Sequence, residues 1–244
     1  MFPLPRIMGH RGAAANAPEN TLISLRRAAE QGAEWVEFDI MLSGDGVPML
    51  FHDDSLKRTT GRDAMMANTP LAELRKLEAG AWFGPEFAGE PIPTFEEALT
   101  LLLDLGLRPN VELKPSPGHD AQTAHAAIEV IRRFWPAQSP PPLISSFSRQ
   151  ALEIAVHHAP DLPRGLIARR PPHDWFKVLR LFKCSTIHAG DRWLSQRIVQ
   201  KIKHAGYGLA AFTVNDPHRA RLLLERGVDC LITDAPGAMA NALG

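Results

Sequence analysis

Residues Glu34–Leu42 read EWVEFDIML. Two acids, Glu37 and Asp39, interrupt a run that is otherwise apolar from Trp35 to Leu42. Strand residues two apart share a face, so both carboxylates point the same way. Comparable short apolar runs recur along the chain, at Arg6–Gly9, Trp35–Met41, Val47–Phe51, Arg108–Leu113, Leu143–Ser146, Arg164–Ile167, Ser185–His188, Gly208–Val214 and Cys230–Thr233. Helical patterns lie between them. Thr94 and Glu97 have the spacing of a capping box, and Gly106 closes that helix. Asp216-Pro217 opens another as N-cap and N1 proline, and Gly227 ends it. Leu194, Ile198, Val199, Ile202 and Ala205 keep helical spacing up to Gly206.

Strand–helix alternation argues for parallel βα units. If Val47–Phe51 stands outside the repeat, eight units remain, and 244 residues suit a (β/α)8 TIM barrel. An open doubly wound sheet is the runner-up, without a glycine-rich dinucleotide fingerprint to support it. One stretch breaks the rhythm. Residues 43–93 separate the second strand from its helix, far beyond an ordinary βα loop. The expectation is one domain over 1–244 carrying this insertion on the C-terminal face, where barrel active sites are built.

Bulk properties narrow the function. Lys+Arg and Asp+Glu are equal at 27 each, so no basic excess points to nucleic acid. No run approaches the length of a membrane span, no amphipathic membrane-binding segment stands out, and no secretory signal is visible. Cys184 and Cys230 make neither a disulfide framework nor a zinc site. These features lead to the expectation of a cytoplasmic enzyme with no stable membrane association.

The chemistry starts from the paired acids. Side-by-side carboxylates repel, and burying them unpaired is costly. A hard divalent cation, Mg²⁺ or Ca²⁺, relieves that cost because it prefers oxygen ligands. The next strand reads NVELKP, where Glu112 and Lys114 again share a face. Glu112 offers a third carboxylate to the same cation, and Lys114 offers a charge to an anionic substrate. His10 and His52 each end a strand beside a charged neighbour, Arg11 and Asp53. The other histidines read as surface or structural, with His188 ambiguous because it too ends a strand. Two imidazoles, a carboxylate-held cation, Arg11 and Lys114 make a phosphodiester-cleaving set. The cationic groups neutralise phosphoryl oxygens, and the imidazoles move protons near neutral pH.

These residues sit in pieces that resemble the glycerophosphodiester phosphodiesterases, specifically the short bacterial cytosolic type. The pieces are GHRG with PENT, EFDIMLSGDGVPMLFHDDSLKRTTG, AGAWFGPEFAGEPIPTFEEAL, NVELK, ISSFS, FTVND and GVDCLITDAP, in order from residue 9 to 236. The resemblance implies a TIM barrel with a small insertion after its second strand. It implies that His10 and His52 are the acid/base pair, that Glu37, Asp39 and Glu112 hold the cation, and that Arg11 and Lys114 meet the phosphate. The implied reaction releases sn-glycerol 3-phosphate and an alcohol such as choline or ethanolamine. Phe212 stands where the family often has tryptophan, and its ring is expected to pack on the glycerol moiety. Ser146 and Phe147 are expected at the pocket floor, Phe83 at its roof, and Trp82 in the insertion's own core. Pro18–Thr21 is read mainly as geometry, with Asn20 or Thr21 capping the first helix. Two rivals stay open: a lysophospholipase D or phosphoinositide-type enzyme on the same barrel, and a non-catalytic binding module.

Overall fold

The computed structural model describes residues 2–244. The chain forms β1 (Ile7–His10), α1 (Leu22–Glu30), β2 (Trp35–Leu42), β3 (Pro48–Leu50), α2 (Lys57–Thr60), α3 (Leu71–Leu74) and α4 (Phe95–Leu105). Strict alternation follows: β4 (Arg108–Leu113), α5 (Asp120–Phe134), β5 (Leu143–Ser146), α6 (Arg149–His158), β6 (Arg164–Ala168) and α7 (Trp175–Leu181). It continues with β7 (Thr186–Gly190), α8 (Gln196–His204), β8 (Gly208–Phe212), α9 (Pro217–Arg226), β9 (Cys230–Thr233) and α10 (Pro236–Leu243). Leu194 belongs to the loop before α8 rather than to the helix, because Ser195 caps it by accepting from Ile198 N.

The sheet order is β1-β9-β8-β7-β6-β5-β4-β2, and β1 pairs again with β2. Eight parallel strands therefore close into a (β/α)8 barrel, as the alternation implies. The extra strand β3 folds back antiparallel on the upper part of β2, matching Ile40 to Leu50, and so stands outside the repeat.

Strand β2 carries the logic of the fold. Val36, Phe38 and Ile40 face outward into the layer under the helices, with Leu25, Phe95 and Ala127. The alternate residues face inward, and each meets a different level. Trp35 plugs the barrel floor with Met8, Leu143, Ile232, Phe2 and Leu4. Glu37 and Asp39 line the upper interior, and both are buried. Met41 rises past the rim into a separate core with Met49, Leu56, Met66 and Leu74. That small core holds the insertion together, and Leu50 N donating to Pro93 O at 2.9 Å ties its end back to the barrel.

The capping box forms at α4: Thr94 accepts from Glu97 N, and Glu97 accepts from Thr94 N at 2.8 Å. Trp82 departs from expectation. It is exposed rather than part of the insertion's core, its indole N–H donates to Ala79 O, and Arg58 lies over its ring. The cause is local: the adjacent loop takes Phe87 inward and leaves Trp82 stacked edge-on against Phe83.

Candidate active site

Parallel pairing sets the register of the carboxylates. His10 lies opposite Glu37, Glu37 opposite Asn110, and Asp39 opposite Glu112. Glu37, Asp39 and Glu112 are all buried, and each offers an oxygen within 4.8 Å of the others'. Arg11 follows directly after β1 with φ of 50°, in the left-handed region that few side chains adopt. That turn aims the Arg11 N–H at Glu37 Oε2 at 3.1 Å, while its guanidinium lies 3.3 Å from Asp39 and 2.6 Å from Glu19. Gly12, at φ 88°, continues the turn where a Cβ would press on Ser24. Lys114 Nζ lies 3.7 Å from Asp39 and 3.6 Å from Glu112.

Three buried acids against two cations produce unequal proton affinities. Burial, and then Asp39 and Glu112, hold the Glu37 carboxyl well above the usual carboxylate range. Burial and then Asp39 push Glu112 up to about 8. Burial also works against Asp39, but Arg11, Lys114 and His52 outweigh it and keep its pKa low. Glu112 Oε1 is buried without a hydrogen-bond partner. The cluster thus calls for more positive charge than the chain supplies. All-oxygen donors within reach of one point suit a hard divalent cation, so the residues fit a divalent metal site.

Both histidines are held the same way. His10 Nδ1 sits 2.6 Å from Asp234 Oδ1, and His52 Nδ1 sits 2.5 Å from Asp53 Oδ1. Asp53 is held at about 2: burial opposes ionisation, but the bonds from Arg58 and His52 outweigh it. Asp234 is likewise lowered, with His10 and Asn215 overcoming burial. An ionised carboxylate only accepts, so each Nδ1 carries the hydrogen and each Nε2 is left with the free lone pair. His10 Nε2 faces Glu37 at 3.9 Å. Burial lowers the His52 pKa against the pull of Asp39.

A cavity lined by His10, Glu37, Glu112, His188 and Phe212 opens above these strands. Phe212 meets Phe147 edge-on, with ring centroids 6.0 Å apart. Phe147 is exposed on the rim rather than at the pocket floor, since β5 ends at Ser146, whose hydroxyl is spent on Leu113 O. His188 lies inside the barrel against Thr186, in space that only a glycine at Gly165 leaves open, since a Cβ there would lie 2.9 Å from its ring.

Sequence reading passed over several polar residues that complete this arrangement. Asn20 does not cap α1; Thr21 does, by accepting from Ser24 N. Asn20 instead grips Asp39 twice, donating from Nδ2 at 2.9 Å and accepting the Asp39 N–H at 3.1 Å. Asn215 accepts the Asp234 N–H at 2.9 Å and donates to its carboxylate. Arg58 donates to both oxygens of Glu19 and to Asp53. Asp234 follows the end of β9, a position comparable to that of Lys114 after β4. That positional signal was available in the sequence.

Comparison with known proteins places the chain in a family. The family model described as the Glycerophosphoryl diester phosphodiesterase family matches residues 10–238. A glycerophosphodiester phosphodiesterase of Caldanaerobacter subterraneus subsp. tengcongensis is 32% identical over 240 residues, covering 96% of each chain. A phosphodiesterase of Oleispira antarctica, solved in complex with the product sn-glycerol-3-phosphate, superposes with a TM-score of 0.96. It is 42% identical, and the match covers 98% of this chain and 97% of that one. A glycerophosphodiester phosphodiesterase of Agrobacterium tumefaciens superposes at 0.79 with 26% identity, covering 98% and 100%.

Proposed function

Since the chain belongs to the glycerophosphoryl diester phosphodiesterase family, we infer that its pocket splits glycerophosphodiesters through paired action of His10 and His52. The enzyme is a phosphoric diester hydrolase acting on glycerophosphodiesters. Its products are sn-glycerol 3-phosphate and an alcohol such as choline or ethanolamine, in line with the product held by the 42% identical relative. The observation that carries the acid/base reading is the matched anchoring of the two imidazoles, each Nδ1 on an ionised carboxylate.

Arg11 and Lys114 receive the phosphoryl oxygens. Arg11 is already aimed by its backbone turn and held charged by Asp39, Glu19 and Glu37, which outweigh its burial. One imidazole takes at Nε2 the proton of the attacking water, whose oxygen joins phosphorus as the P–O bond to the alcohol breaks, and the other delivers a proton to the leaving alcohol oxygen. Asp53 and Asp234 stabilise whichever ring becomes imidazolium. Phe212 offers its ring face to the glycerol carbons. Glu37, Asp39 and Glu112 would hold Mg²⁺ or Ca²⁺, which supplies Lewis-acid stabilisation of charge on the phosphoryl group. No helix among the described residues is long and apolar enough to cross a membrane. Buried, unpaired Cys184 and Cys230 support a cytoplasmic setting.

His10→Ala and His52→Ala are expected to fold with wild-type circular dichroism and to lose roughly 100- to 10,000-fold in kcat on glycerophosphocholine. Near wild-type turnover in both variants would overturn the acid/base assignment. Exhaustive chelation should abolish hydrolysis, with recovery on adding Mg²⁺ or Ca²⁺. Full activity in the chelated enzyme would remove the cation from the account.

A further inference from the structure

A second concave site lies outside the catalytic pocket. A groove of ≈ 710 Å³ opens between the loops that follow β6 and β7 and the helices α8 and α9. Its volume falls within the range of small-molecule sites, roughly 300–1,000 Å³. Arg170, Arg192, Lys201, Arg219 and Arg226 all line it, and no aspartate or glutamate does. The chain as a whole balances 27 basic against 27 acidic residues. Elsewhere on the surface its arginines take carboxylate partners, as Arg132 does with Asp161 and Arg149 with Asp174.

The groove's cations divide into two kinds. Three are fixed. Arg219 is held by Asp191, Arg226 donates to Leu194 O at 2.7 Å, and Arg170 stacks 5.0 Å over the ring of Trp193. Arg192 and Lys201 form no ion pair with any described residue. Trp193 is half exposed beside them. Asp191 offsets one of the five charges, and the other four, converging in a concave groove, raise the local potential and concentrate anions. Arginine is suited to the bidentate grip of phosphate oxygens. The catalytic pocket has a different make-up, with three buried carboxylates grouped so that they could hold a cation. The two sets of lining residues share no member.

We propose that the groove between α8, α9 and the loops after β6 and β7 binds a compact ligand carrying two or more phosphates, independently of the catalytic pocket. Arg170, Arg219 and Arg226 form a fixed cradle, Arg192 and Lys201 close on the ligand, and Trp193 covers it. Both loops leave the same end of the barrel as the catalytic residues, so the occupied groove sits on the rim opposite β2.

Inorganic tripolyphosphate titrated into the full-length protein tests this. EDTA is kept in excess to remove divalent ions, and Trp fluorescence and calorimetry report binding. The expected result is saturable, one-to-one binding that weakens with salt. Arg192→Ala/Lys201→Ala should raise Kd by roughly tenfold or more, while leaving kcat/KM on glycerophosphocholine and the melting temperature at wild-type values. Lys114→Ala should leave tripolyphosphate binding unchanged. Trp193→Phe should reduce the fluorescence change, Trp175 also lining the groove, but keep the calorimetric signal. Phosphatidylcholine vesicles carrying a phosphatidylinositol bisphosphate distinguish a lipid source. Vesicle binding that depends on Arg192 and Lys201, alongside tripolyphosphate binding, supports the site and assigns it a headgroup. Vesicle binding without tripolyphosphate binding overturns it. So do tripolyphosphate binding that survives in the double variant, loss of binding in Lys114→Ala, and no binding at all.

Discussion

His188 shows what a single residue inside the barrel does to the protein's response to acid. It is buried at 1% exposure, and burial alone pushes its pKa down to about 4. The unfolded chain takes up that proton near about pH 6.5, whereas the native state refuses it until about pH 4. Between those values the unfolded state binds more protons. Stability is therefore full above about pH 6.5 and drains as pH falls, by up to about 3 kcal/mol from this group. His188→Gln keeps a polar partner for Thr186 and does not titrate. Urea midpoints measured from neutral pH down to about pH 4 should fall less steeply in this variant. An unchanged slope would mean that other groups carry the acid sensitivity. At this scale the sequence was informative wherever chemistry is local. Glu37 with Asp39 and Glu112 with Lys114 are two-residue spacings that strand geometry converts into a shared face. Asp234 has a place after β9 like that of Lys114 after β4, but its partner His10 lies 224 residues away, and Asn215 takes its meaning from Asp234. Asn20 was misread because asparagine before a helix is a familiar cap, and only the position of Asp39 reveals its other use.

Among the elements, the short helix α2 has the most consequence for the site. Its Arg58 reaches out of the insertion to hold both oxygens of Glu19, which lies between β1 and α1, and also Asp53. Asp53 in turn fixes the ring of His52. The insertion is thereby latched to the barrel through the residues that set one of the two imidazoles. Arg58→Ala should lower kcat by about 10- to 100-fold, as outer partners of catalytic groups commonly do, with little change in KM. Arg58→Lys should recover only part of that loss, because an ammonium cannot reproduce the planar fork. Equal effects on KM and kcat would instead point to a disordered pocket. The elements themselves were legible where periodicity and caps agree, as at Thr94–Gly106 and Asp216–Gly227. Arg108–Leu113, Leu143–Ser146 and Cys230–Thr233 have the bounds expected, and the other strands shift by one or two residues at one or both ends, because pairing with neighbours, rather than the apolar run, decides where a strand stops. Phe147 and Trp82 were misplaced for a related reason: an aromatic just past an element takes whichever side the loop leaves free.

For the whole molecule, the barrel closes through β1 pairing with both β2 and β9, and the insertion's core includes Met41 of β2. We propose that residues 1–244 unfold as one unit, insertion included. Urea denaturation should give a single transition, coincident by tryptophan fluorescence and by far-ultraviolet circular dichroism. An early, separate loss of the Trp82 signal would show that the insertion folds by itself. The alternation of strands and helices made the closed barrel legible, since eight units of this size have few other solutions. The basic groove was not legible, because its five cations come from four separate segments that only the closed ring brings side by side.

The inward residues of β2 each serve a different compartment: Trp35 the floor, Glu37 and Asp39 the site, Met41 the insertion. Adding or deleting one residue between 35 and 42 would exchange the two faces of the strand. It would disturb floor, site and insertion in a single step. Length changes in the insertion's outer loops, away from Asp53, Arg58 and the core residues Leu56, Met66 and Leu74, face no such constraint, because they contribute no barrel strand. A lineage descending from this chain would therefore vary in the length of those outer loops, while the eight residues that launch the insertion stay fixed in length.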